Sequence, residues 1–278
     1  VGKGRIVAGI SLDDALKRLA IEPDVNAPEV LWLHRTTDRA DWYYVCAPKG
    51  KGFRGTVDFR CSGRVQLWDP VSGTVRDVPA EPKDDRTRVG IDLPAAGSCF
   101  VVFRKDGSKA PRIEVPEVVS TQTLTAPWEL KFPEGWGAPA SVELVDLKPW
   151  KDLDISPEGK AFSGTAEYNS AFEIGPVKKD RHYILDLGDV ERIAEVYVNG
   201  EFVRTLWTPP YSLDITDRVR DGKNSITVKV TNTWFNRLVY DAARPESDRK
   251  TWVLKWPDKN APLKESGLLG PVSIRTMQ

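Results

Sequence analysis

The residues best suited to chemistry lie in VTNTWFNRLVYDAARPESDRKTWVLKW, residues 230–256. Asn232, Trp234, Asn236, Arg237 and Asp241 come directly after a strand-like pattern, with Trp252 and Trp256 beyond. Amides and a guanidinium offer forked donors and acceptors to hydroxyls, and indole faces cover the apolar faces of a pyranose ring. That is equipment for holding a sugar. The same residue types also close the end of a β-sandwich, where aromatics plug the core and Asn or Arg bonds loop carbonyls, and the sequence leaves both uses open. A second aromatic pair, Trp207 and Tyr211, sits in TLWTPPYSLDIT, residues 205–216. Its consecutive prolines cannot both donate to a sheet ladder, so this stretch is an elbow and not a central strand. Its rings either lock the fold or face a ligand.

Other chemistries find little to work with. His34 in LWLHRTTD and His182 stand far apart with no nucleophile beside them, and a structural imidazole bonded to backbone suits His34. Asp152, Asp154, Ser156 and Glu158 in DLDISPEG alternate like the opening of a calcium loop but lack its later ligands, so a solvated loop is expected. Cys46, Cys61 and Cys99 are an odd number, widely spaced, and read as small hydrophobes and not as a zinc site or a disulfide framework. The near-match GKGRIVAG at residues 2–9 puts Val7 where a dinucleotide-binding loop needs its third glycine. No metal and no cofactor is expected. Two carboxylates for glycoside hydrolysis could be drawn from 40 acidic residues. A barrel that mounts such a pair needs βα alternation over about 250 residues, however, and no such alternation is present.

The elements that must position the aromatic clusters are strands. The 40 basic residues balance the 40 acidic ones across 278 positions, leaving no global field to attract nucleic acid or an anionic membrane. No apolar run is long enough to span a bilayer. The chain opens on Val1 with no leader pattern behind it, as expected of an excised segment or a processed product. Ser11 can cap one helix, with Leu12, Ala15, Leu16 and Leu19 at helical spacing before Pro23. Residues 1–26 therefore read as an N-terminal remnant. From 27 to 106, short β-branched and aromatic runs separated by Gly, Pro, Asp and Ser predict a first sandwich. Residues 107–125 hold two prolines, Pro111 and Pro116, and no aromatic, and read as a linker or crossing strand. Residues 126–278 read as a second sandwich. There Asn199-Gly200 supplies the left-handed pair of a tight hairpin, while Ile226, Val228 and Val230 alternate with Thr227, Lys229 and Thr231. The fold class is all-β: two tandem antiparallel β-sandwiches, with one short N-terminal helix.

In the second module GTAEYNSAFEI, HYILDLGDVERIAEVYVNGEFVRTLWTPPYSLDIT, DGKNSITVKVTNTW and GLLGPVSI occur in an order that resembles the sugar-binding jelly roll of family 2 glycoside hydrolases. The similarity is greater still to the sandwich that ends family 106 α-L-rhamnosidases. It extends weakly into the first module through VGKGRIV, LWLHR, VQLWDPVSG and SCFVVF, so nearly the whole chain is covered. The resemblance implies a galactose-binding-like jelly roll accompanying a glycosidase of secreted or periplasmic bacterial enzymes that act on plant polysaccharides. In such enzymes the acid and base carboxylates belong to an upstream barrel, and no position here matches them. The implied role is a non-catalytic one: supporting that catalytic domain, with carbohydrate as a further partner. The Trp-x-Pro-Pro-Tyr elbow is implied to be a packing device first. An autonomous carbohydrate-binding module and a purely structural, protein-interacting sandwich are the alternatives.

Overall fold

The computed structural model describes residues 4, 6–107, 117–125 and 127–278. The chain divides into two compact units, residues 1–114 and 115–278. In the first, Ser11 accepts a hydrogen bond from the Asp14 N–H at 3.1 Å and starts the helix Leu12–Arg18, which stops well before Pro23. Two antiparallel sheets follow. One orders its strands Val25–Asn26, Phe53–Phe59, Arg86–Leu93 and Ala80–Lys83. The other runs Leu31–Thr36, Ala40–Cys46, Ser98–Arg104, Arg64–Trp68 and Val75–Asp77. Period-2 alternation sends Tyr43 and Val45, Val101 and Phe103, and Val65 and Leu67 inward onto Val57, Phe59, Val89 and Ile91 of the facing sheet. Cys99 is buried among them, while Cys46 and Cys61 are half-buried.

The second unit packs a six-stranded sheet on a four-stranded one. The larger is ordered Ser141–Leu144, Trp128–Lys131, Thr165–Ile174, Gly222–Thr231, Ile193–Val198 and Glu201–Leu206. The smaller is ordered Val118–Thr123, Ser273–Met277, His182–Asp186 and Ser212–Asp214. Ile226, Val228 and Val230 are buried, and their neighbours Thr227, Lys229 and Thr231 face outward, as alternation requires. Tyr168, Val228 and Val196 lie abreast on three adjacent strands. The Asn199-Gly200 turn takes φ of 53° and 81°, the left-handed pair that matches strand twist in a two-residue hairpin. At the core's edge the Tyr168 hydroxyl accepts from Trp150 Nε1 at 2.6 Å and from the Leu268 N–H at 3.1 Å.

The structure refines the sequence expectation at three elements. Within the stretch read as a linker or crossing strand, Val118–Thr123 is a strand, paired along Ser273–Met277, with all six of its residues exposed. Residues 108–116 of that stretch lie outside the described residues, as does most of the 2–9 near-match. Two helices join the N-terminal one: Pro157–Lys160, capped by Ser156, and Phe235–Ala242, which carries Asn236, Arg237 and Asp241 of the polar cluster.

Candidate functional site

The strand Gly222–Thr231 runs straight into the helix Phe235–Ala242, and Asn232 secures the junction. Its Oδ1 accepts from the Gly164 N–H at 2.9 Å, and its Nδ2 donates to Phe162 O at 3.0 Å and Ser266 Oγ at 2.9 Å. One turn later the buried Asn236 reads the backbone of Lys264 from both sides, donating to its carbonyl and accepting from its N–H, each at 2.8 Å. Both amides are therefore occupied in fixing the 264–266 segment against the helix.

Arg237 is at the centre. It is fully buried, with its guanidinium 5.3 Å from the Trp136 ring and 5.2 Å from Tyr240. One NH group reaches Glu158 at 2.8 Å and the other Asp241 at 2.8 Å. The other oxygen of Asp241 accepts from the N–H groups of Lys250 and Thr251 and from the Thr251 hydroxyl at 2.7–3.0 Å. Burial by itself would raise the Asp241 pKa, but the bonds from Thr251 and Arg237 outweigh it and hold the carboxyl below its ordinary range. Glu158 is likewise held down, first by Lys250 and then by Arg237. A glycosidase acid needs the opposite, a carboxyl raised enough to keep its proton near neutrality. This network ties the helix Pro157–Lys160 and the loop at Lys250 and Thr251 to the helix Phe235–Ala242.

The lock leaves the aromatic residues around it in different situations. Trp234, 49% exposed, packs edge-on to the half-buried Trp136 with ring centres 5.6 Å apart. Trp252 is 76% exposed and follows directly on Thr251, which Asp241 fixes. Trp256 lies under the Arg249 guanidinium at 4.7 Å. The elbow divides its pair: Tyr211 is buried and donates its hydroxyl to Arg192 O at 2.7 Å, whereas Trp207 is 64% exposed. Among the eight expected site residues, then, Trp207, Trp234 and Trp252 present open ring surface. Asn236, Arg237, Asp241 and Tyr211 are interior, and Asn232 is half-buried. Glu158 and Trp136 belong to the cluster although sequence reasoning did not place them there. Trp136 comes from a distant loop and Glu158 from the short helix Pro157–Lys160, and no spacing rule links either to Phe235–Ala242.

A second polar cluster lies in the first unit. His34 stacks on Tyr43 with ring centres 4.1 Å apart, its Nδ1 3.1 Å from Asp24 and its Nε2 3.3 Å from Asp41. The expected backbone bond is thus replaced by two carboxylates. Arg60 pairs with Asp24, and Lys105 lies 3.0 Å from Asp41. Cys61 donates its thiol to Asp41 at 3.3 Å; burial first, then that carboxylate, pushes the thiol up to about 12, leaving it no nucleophile at neutral pH.

The second unit, an antiparallel sandwich whose strand-to-helix junction is pinned by buried amides, defines a galactose-binding-like β-sandwich. Residues 160–269 match the family model described as the galactose-binding domain-like part of glycosyl hydrolase 2, and residues 1–81 match that of the glycoside hydrolase 106 α-L-rhamnosidases. The chain is thereby related to glycoside hydrolases, as the motifs led us to expect. A solved rhamnosidase from Novosphingobium sp. PP1Y superposes over 99% of the chain with a TM-score of 0.77 and 33% identity. A Formosa agariphila protein named "Putative beta-glucuronidase" is 35% identical over 202 residues, 63% of the chain. A β-galactosidase of Clostridium acetobutylicum is 32% identical over 90 residues, 30% of the chain. The chain spans only 27%, 17% and 10% of these three proteins, respectively.

Proposed function

We propose that this chain is the non-catalytic β-sandwich region of a glycoside hydrolase of the α-L-rhamnosidase kind, supporting a catalytic barrel and contacting carbohydrate through the aromatic surface of its second unit. The observation that carries this is the fate of the acids at the best-equipped site. Glu158 and Asp241 are both drawn to Arg237 and both held ionised, so they serve as structural counter-ions and not as proton donors. The matches to rhamnosidase and galactose-binding-like models supply the enzyme class. Trp234 and Trp252, standing on a rigid base, are the sugar-stacking candidates, with Trp207 on the elbow. An extracytoplasmic location follows from the same role, because polysaccharides are degraded where they are met; no described helix is long and apolar enough to cross a membrane.

Calorimetric titration with a rhamnose-containing pectic oligosaccharide tests the contact. We expect weak binding, in the ~millimolar to micromolar range, lost in Trp234→Ala or Trp252→Ala with the fold retained. Flat titrations across a broad glycan panel would remove carbohydrate contact and leave only the supporting role. The autonomous-module reading is favoured by the 76% exposure of Trp252 alone, and it requires the isolated chain to bind as tightly as the whole enzyme does through this surface.

A further inference from the structure

The outer face of the first unit's five-stranded sheet is apolar across its whole width. The strand registers place Leu33, Tyr44, Phe100, Trp68 and Val75 abreast, one from each strand, in a single row. Beside that row, the half-buried Trp42 on one side, next to the buried Val102, and Leu31 on the other extend it. Leu31 and Leu33 are 68% and 51% exposed, on an edge strand that pairs on one side only. Outward-facing positions of a half-solvated sheet are ordinarily polar, and an edge strand ordinarily carries charge or proline to discourage pairing. Polar groups begin at the border: Arg35, Gln66 and the Arg64–Asp77 pair, 2.6 Å apart. An apolar centre inside a polar rim is the anatomy of a protein interface.

The ring geometry decides what kind of partner fits. A sugar platform needs open, coplanar ring faces. Here Trp42 stands at 77° to Trp68 with centres 4.8 Å apart and at 85° to Phe100, and Tyr44 tilts 58° to Phe100. Standing edge against face, these rings form no flat platform, and the row they share with Leu33 and Val75 matches apolar side chains and not hydroxyls. Four of the five strands fall within residues 1–81, the part that matches the α-L-rhamnosidase model. In the solved rhamnosidase, the region equivalent to this chain is 27% of the polypeptide, so the greater part lies outside it.

Building on the supporting role proposed above, we infer that this face is the seat of the glycosidase catalytic region of the same gene product, with Leu33 and Tyr44 at the contact. Hydroxyl-radical footprinting of this chain alone and of the full-length gene product tests it. Leu33, Tyr44 and Phe100 should be modified in the isolated chain and at least fivefold more slowly in the full-length protein. Leu33→Lys should leave the isolated chain folded and should speed limited proteolysis between the two regions of the full-length protein. Equal labelling in both forms would overturn the docking face while leaving the functional assignment standing. Protection in the isolated chain that fades on tenfold dilution would overturn it in favour of a second copy. A full-length product without a glycosidase region would overturn the functional assignment itself.

Discussion

Arg237→Ala tests whether the polar cluster is a structural lock. The side chain is fully buried, makes two 2.8 Å contacts to carboxylates and fills the space between Trp136 and Tyr240. Removing one partner of a buried ion pair costs about 3–5 kcal/mol because the remaining charge loses its compensation. Asp241 keeps three donors on its other oxygen, and Glu158 keeps Lys250, which places the expected loss near the lower end, about 3 kcal/mol. For a unit of this size that corresponds to a fall of roughly 6–12 °C in Tm. Arg237→Lys retains the charge but cannot bridge both acids, so an intermediate loss is expected. Thermal unfolding followed by near-ultraviolet circular dichroism reads the effect, with Trp252→Ala as the exposed control. A loss below about 1 kcal/mol would show that the pair is solvated, and the interior assignment of Arg237 and Asp241 would fall with it.

Three further outcomes follow from local geometry. Tyr211→Phe removes the hydroxyl that Arg192 O accepts and should cost about 1 kcal/mol, whereas Trp207→Ala should stay within about 0.5 kcal/mol; equal effects in denaturant titrations would refute the division of labour at the elbow. Burial opposes ionisation of Asp41, yet bonds from Thr36, Lys105, Cys61 and His34 hold it down to about 2. Its folded pKa lies below the unfolded one, so its contribution of about 2 kcal/mol is complete above pH ~4 and is lost as pH falls toward 2. Asp41→Asn should flatten that part of the first unit's acid-unfolding curve, and an unchanged slope would count against the cluster. Gly267 has φ +111°, and a Cβ there would sit 2.5 Å from the Tyr168 hydroxyl and 2.6 Å from Trp150 Nε1, both buried. Gly267→Ala should destabilise the second unit by more than about 2 kcal/mol, and a neutral result in the same melts would show that the core yields there.

The fold was legible where side chains obey the period of a half-buried strand. Ile226, Val228 and Val230 and the Asn199-Gly200 turn sit as pattern and turn chemistry require. The candidate site was harder to read because its helix is polar on the inside. Asn236, Arg237 and Asp241 turn inward, Arg237 pairing with Glu158 and Asp241 while Asn236 and Asp241 bond loop backbone. Phe235, Leu238, Val239 and Ala242 do keep helical spacing, but over eight residues that stripe is too short to outweigh so polar a composition. The remaining signals were weak: pairs four apart at 236/240 and 237/241, the Ala242-Ala243 run and the stop at Pro245. Exposure was equally hidden. Nothing in TLWTPPY says that Tyr211 turns inward while Trp207 remains outside, since that depends on Arg192 from another strand edge. The row from Leu33 to Val75 emerges only when strands distant in sequence are placed abreast.

The most direct measurement is hydrolysis of an aryl α-L-rhamnoside by the purified chain, alone and at high enzyme concentration. A support region whose acids are bound to Arg237 releases no aryl alcohol above the buffer rate. Turnover that survives rigorous purification and disappears in Glu158→Gln or Asp241→Asn would contradict the account.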